Sequence, residues 1–359
     1  PVFREQTMKL SRVGLILLPV LLAGIYLARA PLALRLAERG LERSMSEQPF
    51  AALPDGIQLA LCGAGGPLPD PVRSGPCVAI QAGTLHLVID AGSGGARNLT
   101  RMRFPLGAID ALLLTHVHSD HIDGMGELAM LRWANAANTS PLPVLGPPGI
   151  AKVVAGFNMA YEADAGFRSA HHGDSVAPIS GHGMQATEFP VPAPGESVVV
   201  LEREGVTVRM FAVNHTPVKP AVGYRIEYGG RSVVVSGDTA KSASLEAVAR
   251  GADLLVHEAL SSELVAAMHR AGAAAGRPII AKVTSDIPDY HTSPVEAAQS
   301  ATAAGVGHLL FYHVIPPLPL PGLDAVFLRG VSAAYAGPVT LGVDGTLISL
   351  PAGSDAILE

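Results

Sequence analysis

Cysteine is nearly absent from this chain. Cys62 and Cys77 are the only two in 359 residues, and no C-x-x-C spacing occurs, so a cysteine-built zinc site is excluded. Charge is also sparse, at 16% Asp, Glu, Lys and Arg with a net of -6. That balance argues against a binder of nucleic-acid backbones, which normally carries a basic patch. It leaves room for a small anionic substrate, because a metal can supply local positive charge. The glycine-rich stretches "CGAGGPLPDP" and "DAGSGGARN" are followed by no G-K-[ST], which excludes a P-loop and leaves tight turns. Nothing in the composition suggests disorder: 48% of residues are hydrophobic, ample for a sizeable core in one large domain or two small ones.

A full membrane span is also lacking. "VGLILLPVLLAGIYLA" (Val13–Ala28), preceded by Lys9 and Arg12, is 16 residues without charge, between a signal-peptide core and the roughly 20 residues of a spanning helix. It is expected to be a signal peptide or an uncleaved anchor within residues 1–30. Either would put the remainder outside the cytoplasm, as a periplasmic or secreted protein with membrane contact through this segment. Residues 31–55 read as a helical linker and 56–359 as the main body. The two cysteines sit on neighbouring apolar runs, where a disulfide and two buried thiols are both open readings.

Within the body, β-branched runs alternate with Ala-rich helical stretches. Strands are expected at Gly56–Leu61, Val78–Ile89, Ala111–Thr115, Val198–Arg203, Val206–Val213, Val222–Tyr228, Ser232–Val235, Leu254–His257 and His308–Tyr312. Helices are expected at Gly126–Ala136, Ser242–Arg250, Ser261–Ala275 and Ser293–Ala304. This is the pattern of a layered α/β body. Residues 137–196, rich in Pro, Gly and His, interrupt it and read as an insert or lid.

What is abundant, locally, is histidine. "THVHSDHIDG" (Thr115–Gly124) holds His116, His118, Asp120, His121 and Asp123, in the loop after the strand Ala111–Leu114. A strand's carboxyl end is where open α/β sheets place their sites. Burying so many unpaired polar groups is costly, whereas a cation gives them a common partner. His215 in "NHT", Asp238 in "SGDT" and His313 in "FYHVIPP" each follow an apolar strand. They are therefore expected to converge on one sheet edge. Asp123 reads as a turn or capping residue.

With these motifs in this order, residues 57 to 350 resemble the metallo-β-lactamase superfamily. The resemblance implies an αββα four-layer sandwich with its site along one edge. It further implies two zinc ions per chain, with Mn2+ or Fe2+ an alternative in one site. His116, His118 and His215 would hold one ion; Asp120, His121 and His313 would hold the other, and Asp238 would bridge them. Asp90, after "LHLVI", matches a position that orients ligands from behind. "ADLLVHEAL" and "YHTSPVEAAQSATAAGVGHLLFYHVIPP" look like the tRNase Z and arylsulfatase-like branch, where His291 would act near the metals with Glu258 in support.

The implied chemistry is metal-dependent ester hydrolysis by water activated between the two ions. Asp120 would orient the nucleophile and His291 would protonate the leaving group. Tyr161, Arg168, His171 and His172 in the insert are offered as pocket residues. No basic arm for tRNA is evident, so the expected substrate is a small phosphate or sulfate ester and no nucleic acid partner is expected. The alternative is a lactonase or other carboxylic-ester or amide hydrolase, with a non-catalytic metal-binding sensor behind it. Oligomeric state is left open.

Overall fold

The computed structural model describes residues 12–359, and of residues 12–23 and Ile25 the backbone alone. The tail at 1–11 and most side chains of the apolar stretch Val13–Ala28 lie outside the described residues. The chain divides into two units, Pro1–Gln48 and Pro49–Glu359. The first carries one 35-residue helix, Arg12–Ser46. Along its described part Leu27, Leu32 and Leu36 are exposed, and an Arg43–Glu47 ion pair at 2.6 Å braces its last turn. No helix among the described residues is long and apolar enough to cross a membrane.

In the second unit the β-rich runs fold into fourteen strands. The first six are β1 (Gly56–Gly63), β2 (Cys77–Ala82), β3 (Leu85–Ile89), β4 (Ala111–Leu113), β5 (Leu142–Gly146) and β6 (Met184–Glu188). Then come β7 (Ser197–Arg203), β8 (Val206–Ala212), β9 (Val222–Tyr228), β10 (Arg231–Val235), β11 (Leu254–Leu260), β12 (His308–Ile315), β13 (Val339–Leu341) and β14 (Leu347–Pro351). They build two seven-stranded sheets, ordered β14-β1-β2-β3-β4-β5-β6 and β13-β12-β11-β10-β9-β8-β7.

Alternation along each strand explains the four layers. Ile57, Leu59, Leu61, Ile80 and Leu87 of one sheet meet Val208, Met210, Tyr224, Ile226 and Val233 of the other in a core between the sheets. The intervening Ala60, Cys62, Ala79, Val88 and Leu112 face outward onto Leu99, Met125 and Leu128. On the far side Phe211, Val234, Leu255 and Leu309 pack under Leu245, Ala297, Ala298 and Ala301. With both faces covered, β1, β11 and β12 are buried along their whole length, as the continuous apolar runs require. The αββα sandwich expected from the sequence is the observed architecture.

Residues 137–196 differ from the irregular insert expected. They supply β5, the 23-residue helix Ile150–His172 and the edge strand β6. Both strands are five residues long; β5 contains Pro143, and β6 is polar (Met-Gln-Ala-Thr-Glu) because its edge faces solvent. A disulfide joins Cys62 to Cys77 across β1 and β2. The helix Pro294–Ala304 begins as its sequence directs, with Ser293 and Glu296 in a reciprocal capping box and Pro294 in the first turn.

Candidate metal centre

Strand direction gathers the site. β3, β4 and β5 run parallel, as do β10, β11 and β12. β8 shares the latter direction, because it and β10 are both antiparallel to β9. The carboxyl ends of β3, β4, β8, β10 and β12 carry Asp90, the His116–His121 loop, His215, Asp238 and His313.

Two local irregularities aim these residues. In β12, Tyr312 pairs with Glu258 and Val314 with Ala259, so His313 is the extra residue of a bulge, with φ at 44°. Such a bulge redirects a side chain out of the strand's alternation. In the Ser236–Thr239 turn, Gly237 sits at φ +61° and an added Cβ would meet the Val222 carbonyl oxygen at 2.5 Å. Only glycine lets the chain pass there and present Asp238.

The side chains form two sets around one carboxylate. His116 Nε2 and His118 Nδ1 lie 3.1 Å apart, and His215 Nε2 lies 3.4 Å from His118 Nδ1. Asp238 Oδ2 is 3.8 Å from His116 Nε2 and 3.9 Å from His215 Nε2. The same oxygen is 3.3 Å from His121 Nε2 and 3.3 Å from His313 Nε2. Asp120 Oδ2 closes the second set, 3.3 Å from His313 Nε2 and 3.7 Å from His121 Nε2.

The other ring nitrogens are tied from behind, which fixes the face each histidine presents. Asp90 holds His121 Nδ1 at 2.8 Å while accepting the backbone N–H and hydroxyl of Thr115 at 2.8 and 2.7 Å. His215 Nδ1 donates to the Tyr290 carbonyl at 2.9 Å. His116 Nδ1 sits 3.1 Å from the Thr115 hydroxyl.

The chemistry of the donors fits a divalent metal. Burial pushes His116 well below the ordinary imidazole range, and His118 and His215 below it as well; all three thus favour the neutral form that ligates. Asp238 is fully buried, yet His313 and His121 hold its carboxyl well below the carboxylate range. Its Oδ1 is buried without a hydrogen-bond partner among the described residues, an arrangement that is costly unless a cation completes it. For His121, burial is outweighed by Asp238 and Asp90, and its affinity for a proton rises well above the ordinary range. The negative potential of the two carboxylates at that position suits a cation.

His291 stands beside the sets, its ring centroid 5.3 Å from that of His215 and 5.6 Å from that of His313. Its Nδ1 meets Glu258 Oε1 at 3.1 Å. The same oxygen accepts the backbone N–H groups of Thr239 and Thr292 at 3.2 and 3.0 Å. Burial alone would lower the His291 pKa; the Glu258 carboxylate more than offsets this and raises it. His257 is buried on β11 and bonded to the Glu258 carbonyl at 2.7 Å. Asp123 caps the short helix Ser119–Ile122.

Above this floor opens a cavity of about 430 Å3, walled by the helices Ser262–Ala274 and Pro278–Asp286 and by the Pro67–Leu68 turn. The residues proposed from the insert do not reach it. Tyr161 lines a separate small cavity with Trp133 and His182. Arg168 pairs with Asp164 at 2.7 Å, and His171 and His172 are exposed at the end of their helix. The sequence reading missed Tyr290 and the apolar wall residues Val265, Met268, Ile280 and Val283. "IPDY", a helix-breaking run directly before His291, was the available signal for Tyr290.

A profile of the Metallo-beta-lactamase superfamily matches residues 70–304. The chain belongs to this superfamily. Among relatives, a Ribonuclease Z of Mycolicibacterium paratuberculosis is 37% identical over 290 residues, 80% of this chain and 96% of its own length. A Ribonuclease Z of Mycolicibacterium gilvum is 38% identical over 290 residues, 80% of this chain and 94% of its own. Among solved structures, human tRNase Z, short form, superposes with a TM-score of 0.59 at 20% identity, covering 82% of this chain and 99% of that one. A metallo-beta-lactamase fold protein from Bacillus subtilis gives 0.58 at 20% identity, covering 82% and 99%.

These findings correct several expectations. Superfamily relatives that span four-fifths of this chain are named as ribonucleases, so the small phosphate or sulfate ester, the arylsulfatase assignment, the lactonase alternative and the sensor reading no longer stand. The exclusion of nucleic acid falls with them. It rested on net charge, a sum over the whole chain, and on the lack of a basic arm, whereas a phosphate is drawn by the local field, which divalent ions held by these ligands would dominate. The expected signal peptide, membrane contact and periplasmic or secreted location also lose their support. The relatives are named Ribonuclease Z, and no helix among the described residues is long and apolar enough to cross a membrane; most side chains of Val13–Ala28 lie outside those residues.

Proposed function

We propose that this superfamily member is a zinc-dependent ribonuclease that hydrolyses an RNA phosphodiester bond. The observation that carries the reading is the placement of Asp238 Oδ2 within 3.9 Å of His116, His121, His215 and His313, in a chain whose relatives are named Ribonuclease Z. His116, His118 and His215 would hold one ion, Asp120, His121 and His313 the second, with Asp238 shared. Ions held there supply Lewis acidity at the phosphoryl oxygens and a nucleophile from water near neutral pH.

The remaining work falls to the chain. Asp90 and the Tyr290 carbonyl keep the rings of His121 and His215 turned inward. Asp120 accepts hydrogen bonds at the edge of the second set and orients the attacking water. As water adds to phosphorus it gives up a proton to Asp120, from which it passes to solvent, and the bond to the leaving oxygen breaks. That oxygen takes a proton from His291 Nε2, the nitrogen opposite the one bonded to Glu258. Glu258 acts through His291 and is a positioning residue.

The test strips metal from the full chain with a chelator, then restores zinc while following cleavage of a labelled tRNA and a single-stranded oligoribonucleotide. The reading expects activity to return with about two zinc ions per chain. Zinc binding without cleavage of any RNA would reject it.

A further inference from the structure

Glu258 stands behind His291, which borders the chamber above the metal ligands. Its carboxylate is completely buried, yet its two oxygens are held unequally. Oε1 takes His291 Nδ1 at 3.1 Å and the backbone N–H groups of Thr239 and Thr292 at 3.2 and 3.0 Å. Oε2 has no hydrogen-bond partner among the described residues. A buried charged oxygen left in this way is costly, and nothing on that side resists rotation of the carboxylate away from His291.

Tyr312 lies directly opposite Glu258 in the β11–β12 ladder. It packs in the core between the sheets together with Val256, two residues before Glu258, and strand alternation puts Glu258 on that same inner face. The phenol is buried, and its hydroxyl also lacks a partner among the described residues. The Ser236 hydroxyl nearby is committed, donating to the Gly237 carbonyl at 2.6 Å and accepting the Glu258 N–H at 3.0 Å. Burial, and then the carboxylates of Asp90, Asp238 and Glu258, push the Tyr312 hydroxyl well above the ordinary phenol range, so it keeps its proton among acceptors. Asp90 is already filled by Thr115 and His121, and Asp238 belongs to the ligand sets. Glu258 Oε2 is the acceptor left over.

We propose that Tyr312 is a positioning residue whose hydroxyl donates, through one bridging water, to Glu258 Oε2 and so holds Oε1 on His291. The proposal rests on the reading that His291 gives a proton to the leaving oxygen. Buried polar groups without protein partners are where structural waters sit, and such a bridge holds nearly as well as a direct bond. Tyr312 does not border the chamber. It therefore acts on proton delivery and leaves substrate binding alone.

The experiment compares wild type, Tyr312→Phe, Glu258→Gln and the double variant, as full zinc-loaded chains, on aryl phosphodiesters of graded leaving-group acidity. With a poor leaving group, Tyr312→Phe is expected to lower kcat about 10-fold, the lower end of what an orienting partner is worth, while KM stays within about twofold. With a good leaving group, which needs little protonation, the loss should shrink to within about twofold. In the Glu258→Gln background the same change should cost nothing further, because residues acting through one contact are not additive. A readout without turnover uses the metal-free chain with carbon-13 at the δ-carbon of its glutamates. The signal missing from Glu258→Gln identifies Glu258, and that signal should move in Tyr312→Phe. An equal loss in both backgrounds, no loss in the wild-type background, or an unmoved Glu258 signal overturns the proposal. Failure of the wild-type chain to cleave any phosphodiester, RNA included, rejects the hydrolytic reading instead, and the carboxylate signal then decides the Tyr312 contact by itself.

Discussion

Glu258 Oε1 lies 3.1 Å from His291 Nδ1, and the carboxylate is completely buried. The pair fixes which nitrogen of His291 faces the metal ligands. Glu258→Gln keeps the shape and removes the charge, and it should lower kcat about 10- to 100-fold, the usual cost of losing an orienting partner. The measurement is cleavage of aryl phosphodiesters with leaving groups of graded acidity. The variant's rate should fall most steeply for poor leaving groups, and a uniform loss across the series would point to a structural role instead.

Asp238 is the only carboxylate within 4 Å of both ligand sets among the described residues. Asp238→Ala should reduce bound metal from about two ions per chain to one or fewer, read by elemental analysis of the purified protein. Two ions retained in the variant would remove its assignment as the shared ligand.

Among the described residues Asp90 hydrogen-bonds His121 alone of the proposed ligands, and through Thr115 it also holds the start of the histidine loop. Asp90→Asn should weaken zinc binding about 10- to 100-fold in competition titrations against a chelating dye. Unchanged affinity would mean that the loop positions His121 without it.

The Cys62–Cys77 disulfide closes a loop across 15 positions, a size associated with about 3 kcal/mol of stabilisation. The double variant Cys62→Ala/Cys77→Ala should unfold at a lower temperature by calorimetry, and reductant should no longer shift its Tm. A Tm equal to that of the oxidised wild type would show that the bond adds nothing.

What the sequence revealed and what it hid follow one physical division. His116, His118, Asp120 and His121 are legible because they crowd one loop. His215, Asp238 and His313 are legible because each ends an apolar run. The structure brings all seven together because those runs point the same way. The chamber wall was hidden: Ile279, Ile280 and Val283 recur at the spacing of an ordinary core stripe, and no local pattern distinguishes a side chain facing a cavity from one facing a core. β5 and β6 were hidden because they are short, one interrupted by proline and the other polar at a sheet edge. With them unseen, residues 137–196 looked irregular, and Tyr161, Arg168, His171 and His172 looked like a lid. The substrate class was misjudged because it was read from a missing basic arm and from a net charge of -6 that averages over a surface, while the site concentrates cation ligands in one place.

The central claim is that the paired clusters around Asp238 hydrolyse RNA. The most direct measurement is cleavage of end-labelled RNA by the purified zinc-loaded chain, alongside His116→Ala prepared the same way. The expected result is zinc-dependent cleavage by the wild-type chain and a loss of at least about 10- to 100-fold in the variant, the scale at which even an orienting partner of a ligand is felt. RNA left intact by the wild-type chain, or cut equally by both proteins, would contradict it.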